Sequence, residues 1–222
     1  KNDHYLASAG RRLNELEDML EKLFLYTKLT NEAYVFPEEN KLSIQLLPLL
    51  SECLLSLYTD FEEKKILPEI HFRQEGFRVR ADEDSLRRIF LNLLQNALIH
   101  GENSLTITQF GPGEYPLLPD YSEFSLDISD KDGTTGPLSW GGCLIFENPV
   151  PQDVSPDPRQ IFDLFYKADK ARKKSSSGLG LFIVKELLER MGGKAEAEFH
   201  DGILKILLYF PQDIPPVSPA PK

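Results

Sequence analysis

Apolar residues recur every seventh position through the first thirty residues, and this pattern commits the segment to one long helix. Charged side chains fill most of the positions between them. A helix with such a stripe exposes it to water unless another helix covers it, so residues 5–30 predict a coiled-coil or bundle partner. A core helix packed within a single domain is the alternative. The pattern consists of two series: Leu6, Leu13, Leu20 and Thr27, and Ala9, Leu16, Leu23 and Thr30.

The overall charge and composition narrow the class of partner. A formal net charge of -10 at pH 7 argues against binding to nucleic acid. Cys53 and Cys143 lack a CxxC spacing and are predicted to be buried thiols. No apolar run approaches the roughly 18 residues that span a bilayer, so we expect no direct membrane contact from these residues. The sequence begins within a helical pattern and without an initiator Met, which favours a fragment of a longer protein.

Helical and strand patterns alternate along the rest of the chain without a regular βαβ repeat. This order predicts an α+β fold, a sandwich in which one mixed sheet has helices on one face. Residues 111–142 are the least regular part, with one predicted strand at 123–129. The other predicted elements are helices at about 48–65, 84–100, 158–169 and 181–191, two strands within 69–82, strands 104–110 and 141–148, and the hairpin 194–210.

The predicted helix 84–100 carries amides on an otherwise apolar stretch. Eight of the eleven residues from Ile89 to Ile99 are apolar, and Asn92 and Asn96 stand one turn apart, with His100 a turn further. An unpaired amide in apolar surroundings costs on the order of 1–3 kcal/mol, so these groups need partners. Two interpretations are open: the amides cap a neighbouring loop or face water, or their oxygens meet a hard cation such as Mg²⁺.

A glycine-rich loop, SSSGLG, precedes the predicted helix at 181–191. Gly178 and Gly180 allow backbone N–H groups to approach a ligand closely, and the positive end of the helix points to the same place. Five cations lie just upstream in an acidic chain, which a solvated loop explains when taken alone. Beside a glycine-rich helix start, the cluster favours a polyphosphate clamp. Its members are Lys167, Lys170, Arg172, Lys173 and Lys174.

Three segments resemble, in order, the N box, F box and G2 box of bacterial sensor histidine kinases: RRIFLNLLQNALIHG, IFDLFYKAD and SSSGLGLFIVKELLERMGG. The resemblance covers about residues 5–211. It implies that residues 1–36 are the C-terminal helix of a dimerisation and phosphotransfer domain. It also implies that residues 42–211 are a catalytic ATP-binding domain of the Bergerat type, followed by a disordered proline-rich tail at 212–222.

Carried over residue by residue, the resemblance implies a site for ATP and Mg²⁺. Asn96 takes the position of the Mg²⁺ ligand, Asn92 that of its partner at the phosphates, and Lys167 the basic position after the F-box aromatic residues. Ile99 departs from the family, in which a Lys is common there. The serines and glycines become the end of a mobile ATP lid. The expected nucleotide-binding residues are Asn92, Asn96, His100, Asn148, Phe165, Tyr166, Lys167, Ser177, Gly178, Leu179, Gly180 and Leu181.

The G1 box, normally an Asp followed by spaced glycines, is the clearest departure from the family. The segment 129–136 has an acid and glycines but lies too far from the F box. FENPVP has the family's spacing, so Asn148 is the residue expected at the adenine position, with Val150 and Gln152 in place of glycines. On this choice residues 109–142 form an insertion. It is either a partner-contacting surface or a tolerated surface excursion.

The family transfers the γ-phosphate of ATP to a histidine and then to an Asp of a response regulator. None of the four histidines here has the family's acceptor motif, so the acceptor is expected outside this chain. The resemblance implies homodimerisation through residues 5–30, a response-regulator partner, and the cytoplasmic portion of a cell-membrane sensor. A degenerate kinase that acts as a docking module is the alternative. A related ATPase is a more distant one, since such enzymes carry a Glu base where Asn92 stands.

Overall fold

A computed structural model describes residues 2–31, 40–112, 114, 140–168 and 177–211. The predicted strand at 123–129, the tail at 212–222 and four of the five clustered cations lie outside the described residues. The helices are α1 (Asn2–Leu29), α2 (Leu46–Ser56), α3 (Tyr58–Glu63), α4 (Glu83–His100) and α5 (Gly180–Arg190). The strands are β1 (Leu42–Gln45), β2 (Leu67–Phe72), β3 (Arg78–Ala81), β4 (Ser104–Phe110), β5 (Trp140–Pro149), β6 (Lys194–His200) and β7 (Ile203–Pro211).

One five-stranded mixed sheet organises the molecule, in the order β2-β4-β5-β7-β6. β2 and β4 are parallel, and the remaining pairs are antiparallel. The main apolar core joins the buried faces of α2, α4 and α5 to one face of this sheet. On the other face the described residues form only a small strand cluster around Cys143 and Ile145. The predicted α+β sandwich with one covered face is therefore confirmed.

Helix α4 begins where its sequence provides a cap. The Asp82 carboxylate accepts a hydrogen bond from the Ser85 amide at 2.8 Å, and Glu83 and Asp84 place negative charge at the positive end of the helix. A fully buried stripe that includes Leu86, Ile89, Phe90 and Leu94 fixes the rotation of the helix on the sheet. This rotation leaves Asn92 and Asn96 half-buried at one edge of the core.

Three local predictions need correction, and one strand was not predicted. The helix expected at 48–65 breaks at Leu57 into α2 and α3, because the backbone there leaves the helical region at φ -109° and ψ 11°. β1 was not predicted; it pairs with β3, a contact that no local pattern reveals. The helix expected at 158–169 is wrong, since residues 158–165 form consecutive turns. The predicted insertion is also shorter, because β4 continues to Phe110 and β5 begins at Trp140.

Helix α1 packs against α5 near its C-terminal end. The rings of Tyr26 and Phe182 lie 5.6 Å apart, and the Arg190 guanidinium donates to the carbonyl of Leu29, which is itself buried. The four central leucines of the heptad remain uncovered in the single chain, with exposures of 44–66%: Leu13, Leu16, Leu20 and Leu23. Helix α1 therefore contacts α5 near its C-terminal end and leaves a row of leucines exposed. Among the described helices, none has the length and hydrophobicity needed to cross a membrane.

Candidate functional site

A cavity of about 410 Å³ opens where α4, the start of α5, the turns at 150–168 and parts of α1 and α3 meet. Nine of the twelve residues predicted to bind nucleotide line it: Asn92, Asn96, His100, Tyr166, Lys167, Ser177, Gly178, Gly180 and Leu181. The three others, Asn148, Phe165 and Leu179, do not line it. Predicted residues from three separate parts of the sequence thus converge on one space.

The side chain of Asn92 is oriented by its own helix. Its Nδ2 atom donates to the Arg88 carbonyl one turn earlier, at 2.8 Å. Its Oδ1 atom lies so close to the first residue of α5 that a Cβ on Gly180 would come within 3.1 Å of it. Glycine at position 180 therefore allows the amide oxygen to lie against the helix start. The positive end of α5 and an amide acceptor consequently share this wall of the cavity.

Asn96 and His100 follow Asn92 along the same edge of α4, at one-turn intervals. Both line the cavity, as does Gln95, for which the sequence analysis gave no role. Asn96 is half-buried, whereas His100 is exposed in the last turn of the helix. The predicted row of polar groups at the cavity is present.

The loop that leads into α5 is fixed by backbone contacts with the F-box turn, the run of turns at residues 158–165. Gly178 has φ +70°, and its carbonyl accepts a hydrogen bond from the Phe165 amide at 3.0 Å. Phe165 also has a positive φ, 61°, and the residue is 58% exposed. Leu179, directly after Gly178, is buried in the core and anchors the loop. Phe165 and Leu179 therefore shape the wall of the cavity without lining it.

The Tyr166 side chain connects the C-terminal end of the F-box turn to the residue before its start. Its hydroxyl oxygen accepts a hydrogen bond from the Asp157 amide at 2.7 Å, and the residue lines the cavity. Lys167, directly after it, also lines the cavity. The turn that replaces the predicted helix thereby positions one aromatic and one cationic side chain at the site.

Asn148 is buried behind the cavity. It is 4% exposed, its Nδ2 atom donates to the Pro149 carbonyl at 3.3 Å, and it lies beside Gly101 at the end of α4. Side chains alternate along β5, so Asn148 shares the helix-covered face with Leu144 and Phe146. Glu147 is on the other face and pairs with Lys205 at 2.6 Å. Of these two polar residues, only Asn148 faces the side of the sheet where the cavity lies.

Several lining residues were not found from the sequence. Lys64, directly after α3, donates to the Leu98 carbonyl in the last turn of α4, and Asp60 of α3 lines the cavity. Lys22 and Met19 enter from α1. Among the described charged residues that line the cavity, three are lysines and one is acidic, in a chain whose net charge is -10. No local pattern marks Lys22 or Lys64, because only the packing of α1 and α3 brings them here.

The chemistry of the site suits a polyanion and a hard cation. Glycine backbone, a helix start and lysines are groups that bind phosphates. The described residues contain no group of three or more His, Cys, Asp or Glu side chains arranged to hold a metal. The cavity offers amide oxygens, and Mg²⁺ accepts these together with phosphate and water oxygens. The residues present fit Mg²⁺ bound with a nucleotide.

Comparison with known proteins agrees with this geometry. Residues 81–213 match the family model described as histidine kinase-, DNA gyrase B-, and HSP90-like ATPase. The matched region includes α4, the F-box turn and α5. The fold, together with a cavity whose lining suits phosphates, defines an ATP-binding domain of this class. The chain belongs to the sensor histidine kinase branch of that family, as its curated relatives show.

Two relatives illustrate the match. The sensor histidine kinase component HK1 of Mycobacterium tuberculosis is 33% identical over 139 residues, which are 62% of this chain and 67% of the relative. The sensor histidine kinase YcbM of Bacillus subtilis is 26% identical over 195 residues, 87% of this chain and 54% of the relative. The chain thus spans about half to two thirds of the length of these relatives.

Solved structures share the fold at low sequence identity. The Acinetobacter baumannii histidine kinase AdeS superposes with a TM-score of 0.67 at 13% identity, over 94% of this chain and 84% of that one. The catalytic domain of histidine kinase ThkA gives a TM-score of 0.56 at 20% identity, over 78% and 95% of the two chains. At 94% coverage the first match extends into α1 as well as the sandwich.

Proposed function

We propose that this chain binds Mg-ATP in the cavity and presents the γ-phosphate to a histidine supplied from outside it. The observation that carries the proposal is the placement of the Asn92 amide oxygen against Gly180 at the start of α5, within a cavity whose charged lining is mainly lysine. Membership of an ATPase family supplies the class of ligand.

Each lining residue has a role in this proposal. Asn96 ligates Mg²⁺, which supplies charge neutralisation to the phosphates when bound, and Asn92 contacts the phosphates beside it. The backbone at Gly178 and Gly180 and the lysine at 167 bind phosphate oxygens. An amide cannot accept a proton at neutral pH, so Asn92 cannot activate water as a general base. The site therefore favours transfer to a positioned nucleophile over hydrolysis.

The whole protein would act as a membrane-anchored sensor whose cytoplasmic part includes this chain. The uncovered leucine stripe of α1 supports homodimerisation through residues 5–30, because a parallel or antiparallel copy would cover it. A structure of the histidine kinase ThkA in complex with the response regulator TrrA shares this fold. We infer that this chain also has a response regulator as a partner. Residues 1–36 would then be the partial dimerisation and phosphotransfer domain, and residues 42–211 the catalytic domain.

A docking module without kinase activity is the second candidate. Val150 and Gln152 stand where the family has glycines, and Asn148 lies behind the cavity instead of lining it. Both features weaken the expected contact with adenine. In this candidate the domain keeps the fold and offers surfaces to partners, while nucleotide binding is lost.

Calorimetric titration separates the two candidates. The chain is titrated with ATP in the presence and absence of Mg²⁺, and we expect a dissociation constant below about 1 mM that tightens with Mg²⁺. An isolated dimerisation domain that carries an acceptor histidine is then added with labelled ATP, and label on that histidine is expected. Affinity weaker than about 1 mM, together with no labelling, would favour the docking module.

A further inference from the structure

Helix α1 contributes side chains to the cavity as well as to the α5 interface. Met19 and Lys22 line the cavity, while Tyr26 contacts Phe182 and Leu29 is buried beneath Arg190. These four positions of α1 are spaced by three, four and three residues, so they form one stripe of the helix. We call this stripe the docked stripe.

The docked stripe is distinct from the heptad stripe that dimerisation would use. Leu20 and Leu23 each follow a position of the docked stripe by one residue, about 100° around the helix, and Leu16 lies one turn before Leu20. They are exposed, whereas Lys22 is half-buried against the cavity. A second helix can therefore cover the leucines while Lys22 remains at the cavity. The two stripes can work at the same time.

Lys22 has the chemistry to bind a phosphate. Removal of part of its solvent strengthens its interaction with an anion, because the local dielectric is lower than that of water. The cavity it lines is the one assigned above to a nucleotide, whose described charged lining is otherwise Lys64, Lys167 and Asp60. A triphosphate carries more negative charge than Lys64 and Lys167, the other described lining lysines, neutralise, so a further cation is favourable.

We propose that Lys22 is a phosphate-binding residue that α1 lends to the nucleotide site. The inference rests on the proposed function of that site and adds a residue from the helix outside the sandwich. A bound nucleotide then bridges α1 and the catalytic domain. By linkage, docking of α1 raises ATP affinity, and ATP binding stabilises the docked position of α1 by the same factor.

The first test compares ligands of different phosphate number. ATP, ADP, AMP and adenosine are titrated against the wild-type chain, Lys22→Met and the matched control Lys28→Met. Lys28 is on the same helix but lies over the Phe24 ring, away from the cavity. We expect Lys22→Met to weaken ATP binding about tenfold and adenosine binding less than twofold, with Lys28→Met within about twofold throughout. Lys22→Arg restores most of the ATP affinity, because the charge is kept.

The second test removes the docking of α1 without changing the cavity lining. Tyr26→Ala deletes the ring that contacts Phe182, and we expect a loss of ATP affinity close to that of Lys22→Met. The double variant Tyr26→Ala/Lys22→Met should lose little more than either single variant, because both act through one contact.

The outcomes distinguish the two proposals. ATP affinity that Lys22→Met leaves unchanged, or that falls equally for ATP and adenosine, overturns the role of Lys22 and leaves the proposed function standing. A wild-type chain that binds neither Mg-ATP nor adenosine overturns the proposed function, and the inference about Lys22 falls with it.

Discussion

The carbonyl of Gly178 accepts a hydrogen bond from the amide of Phe165 at 3.0 Å, and both residues have left-handed backbone conformations. This contact joins the F-box turn to the loop that begins α5. Tyr166 and Lys167 follow one partner, and Gly180 follows the other, so the two cavity walls are set by a single backbone junction.

Gly178→Ala is expected to disrupt the junction. A Cβ there would lie 2.8 Å from the backbone of Phe165, and φ +70° is costly for any residue with a side chain. We expect the free energy of unfolding to fall by about 1–3 kcal/mol and ATP affinity to fall at least about tenfold, measured by thermal melting and calorimetry.

Gly202→Ala is the matched control for that variant. Gly202 has a similar φ of +76°, but a Cβ there meets no described atom within 4 Å. Its strain should cost about 1 kcal/mol with ATP affinity unchanged. Equal effects of the two variants on ATP affinity would contradict the importance of the contact with Phe165.

Gly180→Ala should separate stability from binding. Alanine is a better helix former than glycine by up to about 1 kcal/mol, so the fold should be as stable as wild type or slightly more stable. The new methyl would push the Asn92 oxygen, 3.1 Å from the Cβ, out of place. We expect ATP affinity to fall about three- to tenfold by titration. Gly10→Ala, in the middle of α1, should give the stability gain alone; weaker ATP binding there would count against this explanation.

Asn96→Ala should remove the Mg²⁺ dependence of ATP binding. The substitution deletes the amide oxygen proposed as ligand while leaving the apolar face of α4 intact. We expect ATP to bind the variant equally weakly with and without Mg²⁺, at least about tenfold below the wild-type affinity with Mg²⁺. Arg88→Ala, two turns earlier and exposed, serves as the control and should retain the dependence. A retained dependence in Asn96→Ala would exclude this residue as the ligand.

Glu189→Gln should raise stability at neutral pH only. Partial burial, aided by the neighbouring Glu186, raises the pKa of the Glu189 carboxyl above its usual value of 4.5. The folded state therefore binds this proton more tightly than the unfolded state, and stability decreases as pH rises through the titration. Removal of the carboxyl should raise the melting temperature near pH 7, and the difference should vanish near about pH 3.

The exposed Glu21 of α1 provides the comparison, since Glu21→Gln also removes one negative charge. Its melting temperature should stay close to wild type at both pH values. A Glu189→Gln variant that melts below wild type at pH 7 would show that the ion pair with Lys185 outweighs the burial.

The site could be predicted where a short stretch of sequence contains both the reactive group and the reason for its position. Asn92 and Asn96 lie on the open edge of a helix whose buried stripe and cap are local, so their common direction followed from helical spacing. The same holds for Gly178 and Gly180 before α5. The helix prediction for residues 158–165 failed for the opposite reason. Hydrogen bonds between Asp157 and Tyr166 and between Phe165 and Gly178 favour turns over the local helical pattern. These contacts involve residues outside the segment.

The sequence by itself determined the family, the order of the boxes, the amide row of α4 and the heptad leucines of α1. These features depend on local spacing and on residue chemistry, both of which are written in consecutive positions. Only the tertiary structure decided that Lys22 and Lys64 line the cavity, that Asn148 is buried behind the cavity, and that α1 docks on α5. Each of these depends on how distant elements pack to bury apolar surface, and that free energy is shared among many residues far apart in the chain.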